Sequence, residues 1–215
     1  MSDPIKAFFV EPTDQADRYL RRYRSLAEGE KCTGKFSFHN AETLIGRFAV
    51  IKGGPDGRGN HYNASPEASE YAEDPRWPTH CSGCGFEFSP DDQWQVNCET
   101  IYLSKDRPDE EFTLKYPRTP GMMWNAWWMS DVWRGQDGRC LIVVTPDAYE
   151  WTIDGPCNNC TMPDDRTHKC WCRHGEVPSI TVDKSPNPGE TTCSAGGGSI
   201  QTPGYHGFLR NGIFT

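Results

Sequence analysis

The stretch that decides the fold is HCSGCGF at residues 80–86, which contains a CxxCG motif. In such a motif a tight turn presents two thiolates, here Cys81 and Cys84, to one metal ion. The glycine at position 85 relieves crowding where backbone N–H groups turn in toward the sulfurs. This segment is therefore predicted to supply half of a zinc site.

A second pair of cysteines, Cys157 and Cys160 in the stretch CNNC, lies far downstream and follows a predicted strand. Both pairs are followed shortly by the tripeptide Pro-Asp-Asp. If the intervening strands fold back, the pairs Cys81/Cys84 and Cys157/Cys160 form one tetrahedral site of four thiolates. The interval between the pairs is, however, much longer than in a compact zinc ribbon.

A third stretch, HKCWCRH at residues 168–174, has a possible ligand at every second position. These are His168, Cys170, Cys172 and His174. On a straight strand the neighbouring ligands would be about 6.6 Å apart, which is too far for one zinc ion with Zn–S bonds of about 2.3 Å.

Two arrangements of this stretch are consistent with its spacing. The segment bends and supplies two or three ligands, with Cys193 or His206 completing the set. Alternatively, Cys157/Cys160 pair with Cys170/Cys172 and the CxxCG motif forms a separate site. The sequence leaves these pairings open.

The remaining cysteines and histidines are isolated in the sequence. Cys32, Cys98 and Cys140 lie alone in or near predicted strands, and we expect them to be buried, inert thiols. His39 and His61 are expected to be satisfied polar residues.

The cofactor predicted by these patterns is zinc. The chain has ten cysteines, and its amino end shows neither the basic nor the apolar region of a secretory signal. We therefore expect it to be made in a reducing cytosol, where thiols bind metal more often than they form disulfides. The alternative is that the cysteines bind nothing and form disulfides only after cell lysis.

Composition argues against two kinds of partner, nucleic acid and a membrane. With 22 Lys+Arg against 30 Asp+Glu, the formal net charge is −8, which makes nucleic acid an unlikely partner. The longest aliphatic run, Leu141–Val144, is far shorter than the roughly 20 apolar residues of a membrane-spanning helix. We expect no membrane partner.

Short β-strands dominate the predicted secondary structure. Runs rich in β-branched and aromatic residues are bounded by Gly, Pro, Asp or Asn, and one N-terminal helix is predicted over Thr13 to Gly29. The predicted fold class is mainly β, or α+β with that one short helix, with small antiparallel sheets or a sandwich stapled by one or two Cys/His zinc sites. The predicted strands are Leu44 to Ile51, Thr100 to Leu103, Phe112 to Tyr116, Trp124 to Met129, Cys140 to Thr145, Tyr149 to Ile153, Ser179 to Val182 and Tyr205 to Phe214.

Three regions are predicted along the chain. Residues 1–52 form a helix and strand segment, residues 53–78 are a long loop or linker rich in Gly, Pro and acidic residues, and residues 79–215 are the zinc-knuckle β domain. The aromatic run at 122–133 suits either a stacking platform for sugars or bases, or a core or subunit interface. Core or interface is favoured, because the chain is poor in Leu and Ile.

Four segments resemble a group of proteins carried by tailed bacteriophages and prophages. They are DPRWPTHCSGCGFEF at 74–88, PGMMWNAWW at 120–128, CNNCTMPDDRTHKCWCRHG at 157–175 and CSAGGGSIQTPGYHGFLRNG at 193–212. The similarity extends roughly from residue 74 to the end. The group has no assigned activity, so the resemblance implies a viral origin and no reaction.

These observations favour a phage-encoded, zinc-stabilised accessory structural or interaction protein in the head, neck or tail of the virion. Its partners would be other phage structural proteins or further copies of itself, and it would be made in the host cytoplasm. A phosphate loop, a GxSxG elbow and an HExxH helix are all missing from the sequence, which favours a role other than catalysis. The alternative is a metal-dependent enzyme or host-directed regulator with an open zinc site at residues 168–174 and His206.

Overall fold

The structure is a computed structural model that describes residues 4–34, 37–49, 51–52, 61–62, 66–195 and 198–215. Within these ranges all regular structure is β-strand, apart from two short 3₁₀ turns at Ala68–Tyr71 and Asp131–Trp133. The expectation of a mainly β fold with small sheets is confirmed. The described residues form no helix long and apolar enough to cross a membrane.

Sixteen strands are present in the described residues. In chain order they are β1 (Phe8–Phe9), β2 (Glu11–Ser25), β3 (Phe38–Ala49), β4 (Ile51–Lys52), β5 (His61–Tyr62), β6 (Gln93–Leu103), β7 (Glu111–Phe112), β8 (Met122–Asn125), β9 (Leu141–Val144), β10 (Glu150–Thr152), β11 (Cys172–His174), β12 (Thr181–Asp183), β13 (Ile200–Gln201), β14 (His206–Gly207), β15 (Leu209–Arg210) and β16 (Ile213–Phe214).

The chain divides into two compact units. The hairpin unit comprises Pro12–Ile101, and the core unit comprises Met1–Glu11 together with Tyr102–Thr215. This division differs from the boundaries expected at residues 52 and 79, because the CxxCG motif belongs to the hairpin unit. Of the expected long loop, residues 53–60 and 63–65 lie outside the described residues.

A long antiparallel hairpin of β2 and β3 forms the framework of the hairpin unit. Its register runs from Gln15 opposite Ala49 to Ser25 opposite Phe38, with an irregularity between Arg18 and Tyr19. Strand β6 lies on the other side of β2. The helix predicted over residues 13–29 is therefore wrong, since most of that segment is β2.

Cross-strand contacts explain why this segment is extended despite its helix-favouring sequence. Ala16 and Leu20 are buried on one face of β2. Asp17 pairs with Arg47 directly opposite it on β3, with a distance of 2.9 Å between Oδ1 and Nε. The Arg18 guanidinium lies 4.3 Å from the centre of the Phe48 ring. Such partners on a neighbouring strand override the weak preferences of single residues.

The main sheet of the core unit has the strand order β1-β8-β9-β10, with β1 parallel to β8 and the other pairs antiparallel. Alternate residues of β9 enter two different apolar clusters. Leu141 and Val143 pack in one cluster, and Ile142 and Val144 pack in the other. A strand buried on both faces requires a continuous apolar run, which explains the sequence Leu-Ile-Val-Val.

A second sheet, with the order β11-β12-β15-β16, packs on the first of these clusters through Val182, Leu209 and Phe214. Strands β13 and β14 form a separate two-stranded ribbon. Of the aromatic run at 122–133, Trp124 is buried in the core as expected, whereas Trp128 is 49% exposed.

Candidate metal centres

Three cysteines and one histidine converge in the hairpin unit. These are Cys32, His39, Cys81 and Cys84, whose ligand atoms all lie within 4.8 Å of one another. The Sγ atoms of Cys32 and Cys81 are 3.7 Å apart, and Cys84 Sγ is 3.2 Å from His39 Nδ1. We call this group the hairpin cluster.

Local turns hold these ligands in place. The Cys81 N–H donates to the Phe86 carbonyl at 2.7 Å, and the Gly85 N–H donates to the Cys81 carbonyl at 2.9 Å, so the CxxCG segment closes on itself. Gly85 has φ of +75°, a conformation that glycine adopts without strain. His39 lies at the start of β3, which places its ring beside this turn.

Two glycines allow the turns that carry Cys32 and Cys81 to approach closely. A Cβ atom on Gly83 would lie 2.4 Å from the Cα of Gly34, so Gly83 has no room for a side chain, and a Cβ atom on Gly34 would lie only 3.2 Å from Cys32 Sγ. The Gly34 N–H donates to Cys32 Sγ at 3.3 Å, and the Gly83 N–H donates to Cys81 Sγ at 3.4 Å. Both glycines therefore serve packing and sulfur hydrogen bonding at once.

The His39 ring is held in a defined orientation. Its Nε2 lies 3.1 Å from Glu30 Oε1, and the ring stacks on Phe86 with 4.1 Å between ring centres. The Ala27 N–H and the His39 ring keep the pKa of Glu30 below its ordinary value. A carboxylate on the far nitrogen of a histidine fixes the tautomer that presents the other nitrogen to a metal.

A second group with the same donor set lies in the core unit. Its members are Cys160, His168, Cys170 and Cys193, again with all ligand atoms within 4.8 Å of one another. His168 Nε2 lies 3.1 Å from Cys160 Sγ and 3.5 Å from Cys170 Sγ. The Sγ atoms of Cys193 and Cys170 are 3.5 Å apart. We call this group the core cluster.

The core cluster is tied into the surrounding structure. Cys170 and Cys193 are buried members of the larger apolar core. The His168 Nδ1 is hydrogen-bonded to the backbone carbonyl of Asp165, which again directs the other ring nitrogen toward the sulfurs. The Lys184 ammonium donates to the Cys170 carbonyl at 2.6 Å.

One thiol in each cluster is stabilised as a thiolate by backbone N–H groups. Burial raises the pKa of Cys81, but the N–H groups of Asn40 and Gly83 outweigh burial and lower it to about 6. Burial likewise raises the pKa of Cys193, while the N–H groups of Ala195 and Thr161 bring it down to about 6. Thiolate is the form of cysteine that binds metal.

Both clusters fit a tetrahedral metal ion. Zn–S bonds of about 2.3 Å place tetrahedral ligand atoms about 3.8 Å apart, close to the 3.7 Å between Cys32 and Cys81. The ten cysteines are all free thiols, so disulfides do not compete for the ligands. Each cluster can therefore hold one metal ion.

The structure brings six of the ten sequence-predicted ligands into these clusters. They are Cys81, Cys84, Cys160, His168, Cys170 and Cys193. The two CxxC pairs do not form one site together, since Cys81 and Cys84 belong to the hairpin cluster and Cys160 to the core cluster.

The other four predicted ligands make different contacts. The Cys172 thiol lies 3.4 Å from Glu190 Oε2, His174 Nε2 lies 3.1 Å from Asp183 Oδ1, and His206 Nε2 lies 2.9 Å from Ser199 Oγ. Cys157 is beside the core cluster, where its thiol is hydrogen-bonded to Cys170 and burial raises its pKa.

Cys32 and His39 were expected to be a buried thiol and an isolated polar residue, whereas the structure places both beside Cys81 and Cys84 in the hairpin cluster. The sequence contains one indication that Cys32 resembles Cys81. Cys-Thr-Gly at 32–34 repeats the pattern Cys-Ser-Gly at 81–83, and both turns place a glycine N–H on the cysteine sulfur. No comparable signal marks His39, which reaches the site only through the register of the hairpin.

Cys140 is fully buried and outside both clusters, and burial raises its pKa to about 11. Cys140 is therefore the buried thiol that was expected.

Comparisons with protein-family models, curated proteins and solved structures found no match to this chain.

Proposed function

We propose that this protein is a zinc-stabilised accessory structural or interaction component of a phage particle and has no catalytic role of its own. The observation that carries the proposal is the pair of four-ligand Cys/His clusters, one in each unit. A structural zinc ion is closed by four protein ligands, whereas a catalytic zinc ion keeps one position for water. Two closed sites serve to hold the chain together.

The donor set favours zinc over other metals. Three thiolates and one imidazole in a tetrahedral arrangement are typical of structural zinc, while Mg²⁺ and Ca²⁺ require oxygen ligands. The hydrogen bonds from backbone N–H groups to the sulfurs, and the oriented histidine rings, supply the outer contacts that such sites need.

The alternative, an open catalytic zinc site, receives less support from the structure. It depends on His174 and His206, whose Nε2 atoms contact Asp183 and Ser199 respectively. His168 and Cys170, the other members of that hypothesis, already belong to the four-ligand core cluster.

X-ray absorption at the zinc edge tests the closed shell on the full chain. We expect an average shell of three sulfurs and one nitrogen per zinc ion, with no water oxygen. A shell with one oxygen would reject the closed sites and favour the open-site alternative. The Cys157→Ser variant should keep this shell unchanged, whereas His168→Ala should lose the nitrogen from one site.

A place in the virion is supported by the resemblance to phage-encoded proteins and by large apolar side chains on the surface. Trp128 and Tyr116 are each about half exposed, and aromatic residues are enriched in protein interfaces. The partners would be other phage structural proteins or further copies of this chain.

Mass spectrometry of purified, washed particles tests this placement. We expect peptides of this protein at a fixed ratio to the major structural proteins, because a built-in component survives washing. Their absence from particles, with the protein present in the infected cell, would reject the virion role without affecting the zinc sites.

A further inference from the structure

A cavity of about 810 Å³ opens on the core unit, beside its larger apolar core. We call it the aromatic cavity. The side chains that matter here are three aromatic rings and three amides, Trp133, Tyr149, Trp151, Asn158, Asn159 and Gln201. Its volume is within the range of sites that bind small molecules.

The rings offer flat apolar faces beside the open space. Tyr149 is 50% exposed, while Trp133 and Trp151 are half-buried. Trp151 packs edge-on against the buried Trp171, with 5.5 Å between ring centres and an interplanar angle of 85°. This contact holds Trp151 in place, so the cavity wall has a fixed aromatic surface.

The amides supply hydrogen-bonding capacity that the protein leaves unused. Asn158, Asn159 and Gln201 are at the surface, and within the described part of the chain their side-chain amides make no hydrogen bond to another protein group. Each amide both donates and accepts hydrogen bonds. Hydroxyl groups do the same, which makes a polyhydroxylated ligand a good match.

Charge narrows the class of ligand further. Among the described residues that line the cavity there is no carboxylate, ammonium or guanidinium group, and the chain as a whole has a formal net charge of −8. A nucleic acid would need cations along its phosphates. The ligand that fits this lining is therefore uncharged.

From the aromatic walls, the unused amides and the absence of charge, we propose that the aromatic cavity binds a neutral oligosaccharide. The sugar rings would place their C–H faces on Tyr149 and Trp151, because the face of an aromatic ring is electron-rich and attracts C–H edges. The amides of Asn158, Asn159 and Gln201 would pair with the hydroxyls. A proline-rich peptide also stacks on aromatic grooves, but it has few groups to pair with three amides.

This inference goes beyond the proposed function and does not depend on it. Asn158 and Asn159 lie in the turn between Cys157 and Cys160, next to the core cluster, so the turn gains rigidity if the cluster holds metal. Sugar binding by a metal-free protein that remains folded would still support the proposed binding site in the aromatic cavity. Absence of the protein from the virion would not affect that proposal.

Titration of the full chain with maltotriose, cellotriose and chitotriose, followed by NMR and calorimetry, tests the proposal. We expect at least one of the three to bind saturably at millimolar concentration and to shift the indole signals of Trp133 and Trp151. Tyr149→Ala should weaken that binding about tenfold, since one aromatic stacking contact is lost.

The matched control is Trp128→Ala, which removes a half-exposed aromatic ring outside the cavity and should leave binding unchanged. Gln201→Ala provides a second variant at an exposed position should Tyr149→Ala fail to fold. Three results would overturn the proposal: no binding by any of the three sugars, equal weakening by Trp128→Ala, or binding of a proline-rich peptide or an oligonucleotide in their place.

Discussion

The hairpin cluster and the core cluster have the same four donors but very different surroundings. Around the hairpin cluster, the apolar cluster of the described residues has three buried members, Ala41, Cys81 and Phe88. Around the core cluster, the corresponding group has fourteen buried members, including Cys170 and Cys193 themselves. One site has little apolar packing beside it, and the other is part of a larger core.

The difference indicates what a bound metal ion would contribute to stability in each unit. Apolar burial stabilises by roughly 25 cal/mol per Å², so the core unit has a source of stability besides its metal. At the hairpin cluster the ligands themselves form much of the local core. The hairpin unit should therefore depend on metal for its local fold, and the core unit should depend on it mainly for local order.

The largest effect should come from chelation. With metal removed, we expect amide hydrogen-exchange protection to be lost in β2, β3 and the segment 80–88, because structural zinc contributes of order 10 kcal/mol to folding. Strands β8 to β10 should keep most of their protection. Exchange measured by mass spectrometry before and after chelation resolves the two units. Equal loss in both units would contradict the comparison.

A second effect should be confined to the core unit and independent of metal. Arg173 is buried with Asp154, 2.9 Å apart from Nε to Oδ1, with side chains only 10% and 5% exposed. Burial raises the pKa of Asp154, so the loss of its guanidinium partner is costly. Arg173→Met should destabilise the zinc-loaded protein by about 3–5 kcal/mol, measured by chemical denaturation.

The control for this change is Arg139→Met. Arg139 is partly exposed, and its Nε lies 3.9 Å from Asp137 Oδ2. An exposed pair contributes little, so we expect a change below about 1 kcal/mol. If both variants were equally mild, the buried ion pair would not be a metal-independent support of the core unit.

A third effect should be specific to the hairpin cluster. Gly83→Ala would place a Cβ 2.4 Å from Gly34 Cα, which forces the two turns apart and should cost about 3 kcal/mol. Gly85→Ala meets no atom within 4 Å and should cost only about 1 kcal/mol, for its positive φ. Thermal unfolding of the two variants distinguishes the effect of close backbone approach at Gly83 from that of positive φ at Gly85. If Gly85→Ala were the more destabilising variant, this interpretation of the two turns would be wrong.

The smallest effect concerns the group that contacts the histidine ring nitrogen facing away from the sulfurs. This group differs between the two clusters. His39 contacts the Glu30 carboxylate, whereas His168 contacts a backbone carbonyl. Glu30→Gln should therefore weaken zinc binding about tenfold at the hairpin cluster alone, as measured by competition with a chromogenic chelator. The neighbouring exposed Glu28→Gln serves as the control, and a loss at both clusters would show that Glu30 acts on general stability.

Much of the fold class followed from sequence, because short β-branched and aromatic runs bounded by turn residues are a local property. The buried strand Leu141–Val144 is an example. The segment 13–29 was misjudged for the opposite reason. Its arginines and acids favour a helix in isolation, and only the pairing of β2 with β3 makes it a strand.

The candidate sites show the same division between local and distant information. CxxC pairs are visible because both ligands come from one turn, whereas the ligands that complete each site come from distant segments. Cys32 and His39 join Cys81 through the hairpin register. The four alternating residues at 168–174 were expected not to share one ion, and they do not. His168 and Cys170 come together, with 3.5 Å between Nε2 and Sγ, whereas the chain after Cys170 continues into β11, which takes Cys172 and His174 to other partners.

The central claim is that each unit holds one zinc ion, and elemental mass spectrometry combined with a thiol count tests it most directly. Protein purified without chelators should contain two zinc ions per chain, with all ten thiols free after denaturation in EDTA. Cys84→Ala and Cys193→Ala should each reduce the content to one zinc ion, and Cys140→Ala should leave it at two. A metal-free protein with fewer free thiols would contradict the account, because disulfides would then hold the two units.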